Sequence, residues 1–222
     1  YASLGNIWGG YIALVNVKSQ NKFLRDKLHE VGAENSKLRE IAVENANLKK
    51  VLRVIGDSGI TGVVANVIGY NASQWTQVIT VDRGLEDGVK EGMAVIFGEG
   101  VVGQVFSVAL GSSRVLLITD HSSGVDALIQ RSRARGVVRG SGGRACDLQY
   151  VPIEEEVLLN DRIVTSGMDG VYPKGFIIGF VSAIEKSSDT MFHAIKMKPE
   201  VNFSKIETVF IIILSANQNP EF

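Results

Sequence analysis

At Gly56 the hydrophobic pattern of the chain changes period, and that change bounds what the chain can fold into. Upstream, from about Lys18 to Ile55, there is no proline and one glycine, Gly32. Apolar residues recur at Leu24, Leu28 and Val31, and the spacing runs on through Asn35, Leu38, Ile41, Asn45, Leu48 and Leu52. Steps of three and four place these residues on one narrow stripe, the seam of a coiled coil. Two consecutive steps of three, from 35 to 38 to 41, insert a stammer that locally overwinds such a coil. The tandem echo of "VGAENSKLRE" (31–40) in "IAVENANLKK" (41–50) has the matching period of ten. Asn35 and Asn45 in the seam weaken it while fixing register and partner number. Because the stripe is narrow and its flanks are charged, it predicts pairing with a second copy of the chain.

Downstream, short glycine-punctuated runs rich in Val, Ile and Thr fall at 61–70, 75–82, 93–97, 101–108, 114–119 and 125–130. Further runs fall at 135–140, 146–151, 162–165, 176–184, 190–198 and 207–214. About a dozen strands at this spacing mean a sandwich or barrel, and 24 glycines against 4 prolines suit tight turns. "MFHAIKMK" (191–198) alternates, whereas "VFIIIL" (209–214) is apolar on both faces and reads as a central, covered strand. "GLEDGVKEGMAV" (84–95) is echoed by "GMDGVYPKGFII" (167–178), which suggests two similar small β units. The expected organisation is a juxtamembrane and helical segment over 1–56, one β unit over 57–112 and a second over 113–222. The last strand, 207–214, is a candidate to return to the first unit.

Charge and cysteine content narrow the function classes. With 23 basic and 24 acidic side chains the chain favours no polyanion as partner. Residues 1–17 carry no charge, 18–53 carry nine basic against five acidic, and the remainder is net −5. Cys146 is the only cysteine, so no intrachain disulfide forms. No run reaches the ~20 apolar residues of a membrane span. Tyr1, Trp8 and Tyr11 in the uncharged first segment are residue types enriched at membrane interfaces, so this stretch reads as a helix start or as a segment just outside a membrane anchor.

The sequence holds no convincing catalytic constellation. "GDSG" (56–59) surrounds the nucleophile of chymotrypsin-type proteases, but only His29 precedes it, and a triad needs a histidine and a carboxylate converging on the serine. Gly56 follows the helical pattern where a left-handed cap belongs, and Asp57 and Ser58 are turn residues. "TDHSSG" (119–124) holds Asp120, His121 and Ser122, yet neighbours in one turn do not converge as a triad does. A β-barrel serine hydrolase using Ser58 or His121 is therefore a distant alternative, and no cofactor or metal motif occurs. In "QRSRARGVVRG" (130–140), Arg131, Arg133 and Arg135 alternate, which on an extended segment points them one way, with Arg139 and Arg144 nearby. Phe and Tyr are absent from 107–149, so no base-stacking platform accompanies this stripe. It reads as a solvated face or a protein contact ahead of a nucleic-acid site.

Glu34, Asn35 and Leu38 with Glu44, Asn45 and Leu48 form two "EN..L" repeats, followed by "ANVIGYNASQWTQVITVDRGLEDGVKEGMAVIFGEGVVGQV" (65–105). Then come "VLLITDHSSGVDALIQRSRARGVVRG" (115–140) and "DRIVTSGMDGVYPKGFIIGFV" (161–181). This ordered series resembles the rod-shape-determining MreC family over almost the whole chain. The resemblance implies a mainly β protein with a long N-terminal helix: a coiled coil followed by two small chymotrypsin-like, non-catalytic β-barrels. It implies a single-pass protein of the bacterial cytoplasmic membrane whose portion seen here faces the periplasm or cell exterior. As a scaffold of cell elongation it would join MreB, MreD and RodA with the elongation-specific class B penicillin-binding protein. Strand-edge pairing would offer a route from dimers to filaments. Matching positions give candidate contacts at Gly84, Asp87, Gly88 and Gly92, and at Thr165, Ser166, Gly167, Asp169, Gly170, Pro173 and Gly175. Turn geometry alone accounts for most of these glycines.

Overall fold

The computed structural model describes residues 25, 27–39, 41–42, 45, 60–72, 76–143, 145–185 and 191–213. By its contacts the chain divides into two compact units, Tyr1–Asn47 and Leu48–Phe222. In the first, residues 27–39 are helical, as are Arg25, Ile41, Ala42 and Asn45. The turn-to-turn spacing is visible in local bonds: Lys27 pairs with Glu30 at 2.6 Å, and the Asn45 side-chain amide donates to the Ile41 carbonyl at 3.3 Å. Leu28, Val31, Leu38 and Ile41 are 44–72% exposed, and Asn35 is exposed among them. Leu24, Leu48, Leu52 and the "GDSG" stretch lie outside the described residues.

Among its described residues the second unit holds twelve strands. Six of them are β1 (Gly62–Ala72), β2 (Gln77–Val81), β3 (Ala94–Phe97), β4 (Gly100–Val108), β5 (Ser113–Leu117) and β12 (Thr208–Ile212). They pair in the order β12–β1–β2–β5–β4–β3 and back to β12, which closes a six-stranded β-barrel. The others are β6 (Gly124–Ile129), β7 (Arg135–Gly140), β8 (Cys146–Gln149), β9 (Arg162–Thr165), β10 (Ile177–Glu185) and β11 (Ala194–Pro199). These pair as β6–β7–β8–β11–β10–β9 and back to β6. Counting β12 as the first strand of the barrel, the two circuits have the same pairing order. A parallel contact between Ile177 of β10 and Gly100 of β4 joins them.

Two expectations need revision. A break near residue 112 would cut the β4–β5 hairpin, whose turn is closed by Ala109 N–H donating to the Ser112 carbonyl at 2.8 Å. That turn lays β5 against β4 and β2, so the chain leaves the first circuit after Leu117. Every described strand also has two neighbours, so strand-edge growth is confined to half-strands paired on one side, such as residues 69–72 of β1, which pair with β2 alone.

Burial follows from strand alternation. Ala65, Ile79, Val81, Val95, Val105, Val115, Leu117, Val209 and Ile211 fill the first barrel. Ile96, Phe210 and Ile212 point the other way, into the cluster that also holds Ile129, Val138, Leu148, Ile163, Ile178 and Met197 of the second circuit. β12 is therefore buried along its whole length, as its two-faced apolarity predicts. This shared core makes the β unit one packed body.

The equivalence extends to single bonds. The β2–β3 and β8–β9 connections, 82–93 and 150–161, are the same length. Gly92 N–H donates to Val105 O and Val105 N–H to Met93 O, at 2.8 and 2.9 Å. Asn160 N–H donates to Val181 O and Val181 N–H to Asp161 O, at 2.9 and 3.0 Å. Gly92 and Asn160 both take positive φ, 87° and 65°. The echo read from sequence is different: 84–95 enters β3 and 167–178 enters β10, which are not equivalent strands. Those two stretches share Asp-Gly turn chemistry, not descent from one repeat position.

Candidate partner-docking surfaces

The candidate catalytic groups are occupied structurally. Asp120 is buried, one carboxylate oxygen accepting from Gln77 N–H at 2.7 Å and the other from Ser122 N–H at 2.8 Å. It therefore builds a turn, with His121 exposed beside it. His193 Nε2 lies 3.1 Å from the Glu155 carbonyl. The Cys146 thiol is buried, and that burial pushes its pKa up to about 12, away from thiolate chemistry. Among the described residues no three His, Cys, Asp or Glu side chains gather as a metal site.

The two loops proposed from sequence are built largely from their own polar groups. At Gly84–Gly88, Leu85–Asp87 make one 3-10 turn, the Asp87 carboxylate accepts from Gly84 N–H at 3.0 Å, and Gly88 caps the turn at φ 81°. Leu85 and Glu86 N–H then donate to the Ala109 and Leu110 carbonyls, docking the turn on the β4–β5 hairpin. In the second loop the Thr165 hydroxyl donates to Pro173 O at 2.6 Å and accepts from Phe176 N–H at 2.9 Å. One Asp169 oxygen accepts from Val171 and Tyr172 N–H, and Ser166 N–H donates to Asp126 O. Gly167, Gly170 and Gly175 sit at φ 79°, 68° and 100°, a region glycine enters without steric cost. Polar groups of both loops thus serve the turns, and Leu85 and Met168 are the large apolar side chains left exposed.

The arginine stripe does not form as an extended face. Arg131 and Arg133 lie in the turn between β6 and β7, with Arg133 at φ 65°, while Arg135 begins β7. A hairpin turn breaks the period-two alternation on which the stripe depended. Arg131 instead clasps the β8–β9 connection. Its guanidinium donates to both Asp161 oxygens at 2.9 and 3.0 Å and to the Glu156 carboxylate at 2.7 Å. Asp161 also accepts from Leu158 N–H. Hydrogen bonds from Arg131, then from that N–H, hold the Asp161 carboxyl below the usual carboxylate range despite its burial. Arg144 lies outside the described residues.

The β8–β9 connection carries what the sequence reading passed over. It crosses from β8 to β9 with Val151 fully buried and Val157 packed on the core. Outward it exposes Tyr150, Ile153, Leu158 and Leu159. Tyr150 meets Phe192 edge to face, ring centroids 5.8 Å apart, and Ile153 N–H donates to Met191 O. The signal was present in "YVPIEEEVLLND" (150–161), which is richer in large apolar residues than a solvated connection of its length needs.

Residues 67–213 match the family profile described as rod shape-determining protein MreC, barrel core. The chain belongs to the MreC family. The cell shape-determining protein MreC of Caulobacter vibrioides is 32% identical over 160 residues, 72% of this chain and 46% of that protein. The MreC of Listeria monocytogenes is 28% identical over 213 residues, 93% of this chain and 72% of the relative. A solved MreC structure superposes with a TM-score of 0.73 at 26% identity, covering 78% of this chain and 99% of its own. The fold is also shared, with a TM-score of 0.58 and 15% identity, by a chain of the complex between the penicillin-binding protein PBP2 and MreC from Helicobacter pylori. That match covers 70% of this MreC-family chain and 99% of the other. The chain spans under half the length of some curated relatives, 41% for the Escherichia coli MreC.

Proposed function

We propose that this chain is the extracytoplasmic part of a dimeric, non-enzymatic scaffold that maintains rod shape by holding cell-wall synthesis proteins in place. The observation that carries the reading is the exposed apolar stripe of the N-terminal helix. Leu28, Val31, Leu38 and Ile41 face water in a single chain, and burying them against a second helix removes that exposed apolar surface. Helix over 18–55 would be roughly 55 Å long at ~1.5 Å per residue, a spacer that sets the β units at a distance from a membrane. The closed pairing of β6–β11 supports reading that circuit as the second small barrel.

The partner is a penicillin-binding protein of cell elongation, as the Helicobacter pylori complex suggests by its fold neighbour. MreB, MreD and RodA follow from the family resemblance, as does the membrane anchor. A fold neighbour described as the major periplasmic domain of the MreC filament agrees with an extracytoplasmic position. Holding a synthase in an active conformation requires higher affinity for that conformation than for the inactive one. Calorimetric titration of the extracytoplasmic domain of the cognate penicillin-binding protein against this chain tests the reading. Saturable binding is expected, and no heat or complex at high concentration would refute it.

A further inference from the structure

The duplicated circuits offer an internal comparison. Two connections of equal length, with matching backbone bonds where they enter β3 and β9, cross at equivalent places, yet their outward side chains differ. The first, 82–93, reads "DRGLEDGVKEGM", with Arg83 and Lys90 among its acids and Leu85 as its one exposed large apolar residue. The second, 150–161, reads "YVPIEEEVLLND", with four acids and no base. At matched positions Asp82 gives way to Tyr150, and Lys90 and Glu91 to Leu158 and Leu159. One scaffold thus carries a solvated connection in one copy and an apolar one in the other, so fold stability does not demand the apolar choice.

Six large side chains are exposed around this connection: Tyr150, Ile153, Leu158, Leu159, Met191 and Phe192, at 43–78%. Two structural ties hold them still. Phe192 bridges to Pro152 and stacks on Tyr150, while Arg131 grips Glu156 and Asp161 on either side of the leucines. Glu154 and Glu155 stand exposed between the two groups. Rigid aromatics and aliphatics with an acidic border match the anchor-and-rim pattern of protein interfaces.

We infer that the β8–β9 connection and residues 191–192 form the docking surface for the penicillin-binding protein. This inference rests on the partner proposed above. The charge dictates the partner's chemistry: a segment with apolar anchors flanked by lysine or arginine, whose long-range attraction to Glu154 and Glu155 weakens with salt. Arg131 acts as a positioning residue, holding the Leu158–Leu159 turn through its bonds to Glu156 and Asp161.

The test is calorimetry with the partner's extracytoplasmic domain and four forms of the full chain. Tyr150→Ser with Phe192→Ser should weaken binding at least ~10-fold, the loss expected for an interface anchor pair. Glu154→Lys with Glu155→Lys replaces exposed side chains only, so it keeps the test valid if the first variant misfolds. It should weaken binding and reverse the salt dependence, because salt then screens a repulsion. Leu85→Ser, at the matched place on the first barrel, should bind as the unaltered chain does. Unaltered binding by both double variants would overturn the docking surface while leaving the partner intact. Failure of the unaltered chain to bind would overturn the partner and this surface together.

Discussion

Gly103 on β4 and Gly179 on β10 occupy matched places in the two circuits, and each faces the backbone of the neighbouring strand. A Cβ at Gly103 would collide with the Leu116 carbonyl, and one at Gly179 with that of Lys198. Alanine at either position should destabilise the β unit by about 1–3 kcal/mol, the usual cost of overpacking. Gly111→Ala meets nothing within 4 Å and should stay within ~0.5 kcal/mol of the parent; urea unfolding measures all three. These glycines also mark the true internal repeat, "VGQVFSV" (102–108) against "IGFVSAI" (178–184). It was legible, but the more conspicuous Asp-Gly turns drew the comparison elsewhere. Asp161 gives a second prediction. Its folded-state pKa lies below the ordinary value, so its contribution is complete above about pH 4 and is lost as pH falls through the depressed value. Asp161→Ala should cost about 1–3 kcal/mol at neutral pH by unpairing Arg131 and Leu158 N–H. Acid unfolding curves of variant and parent should converge at low pH, and a constant gap would contradict this.

At the scale of elements, the strands were readable because each buries alternate side chains or, for β12, both faces. The helix was readable because its stripe repeats every three or four residues. Side-chain direction in turns was not: the arginines alternate in sequence, but the hairpin between β6 and β7 sends Arg131 onto Asp161 instead of along a face. Nor could spacing show that the connection over 150–161 carries exposed leucines, since periodicity does not tell an outward apolar residue from an inward one. The division into Tyr1–Asn47 and Leu48–Phe222 carries its own consequence. Deleting Tyr1–Asn47 should leave the thermal midpoint of the β unit unchanged in calorimetry, because its core is complete without the helix. A marked fall in that midpoint would mean that the helix supports the β unit.

For the whole molecule, one pairing order used twice gives each described strand two neighbours, and the proposed association uses the helix seam and the connections between strands. Both expose large apolar side chains, as the proposed scaffold requires. Two copies joined through the seam would present two docking surfaces, and avidity would then raise the apparent affinity for clustered partners. The central claim is that the seam makes the dimer, and sedimentation equilibrium tests it most directly. The chain should sediment at twice its monomer mass, and Leu38→Asp with Leu48→Asp should sediment at the monomer mass with its β unit folded. A parent chain that stays monomeric at every concentration, or a variant that stays dimeric, would contradict the account.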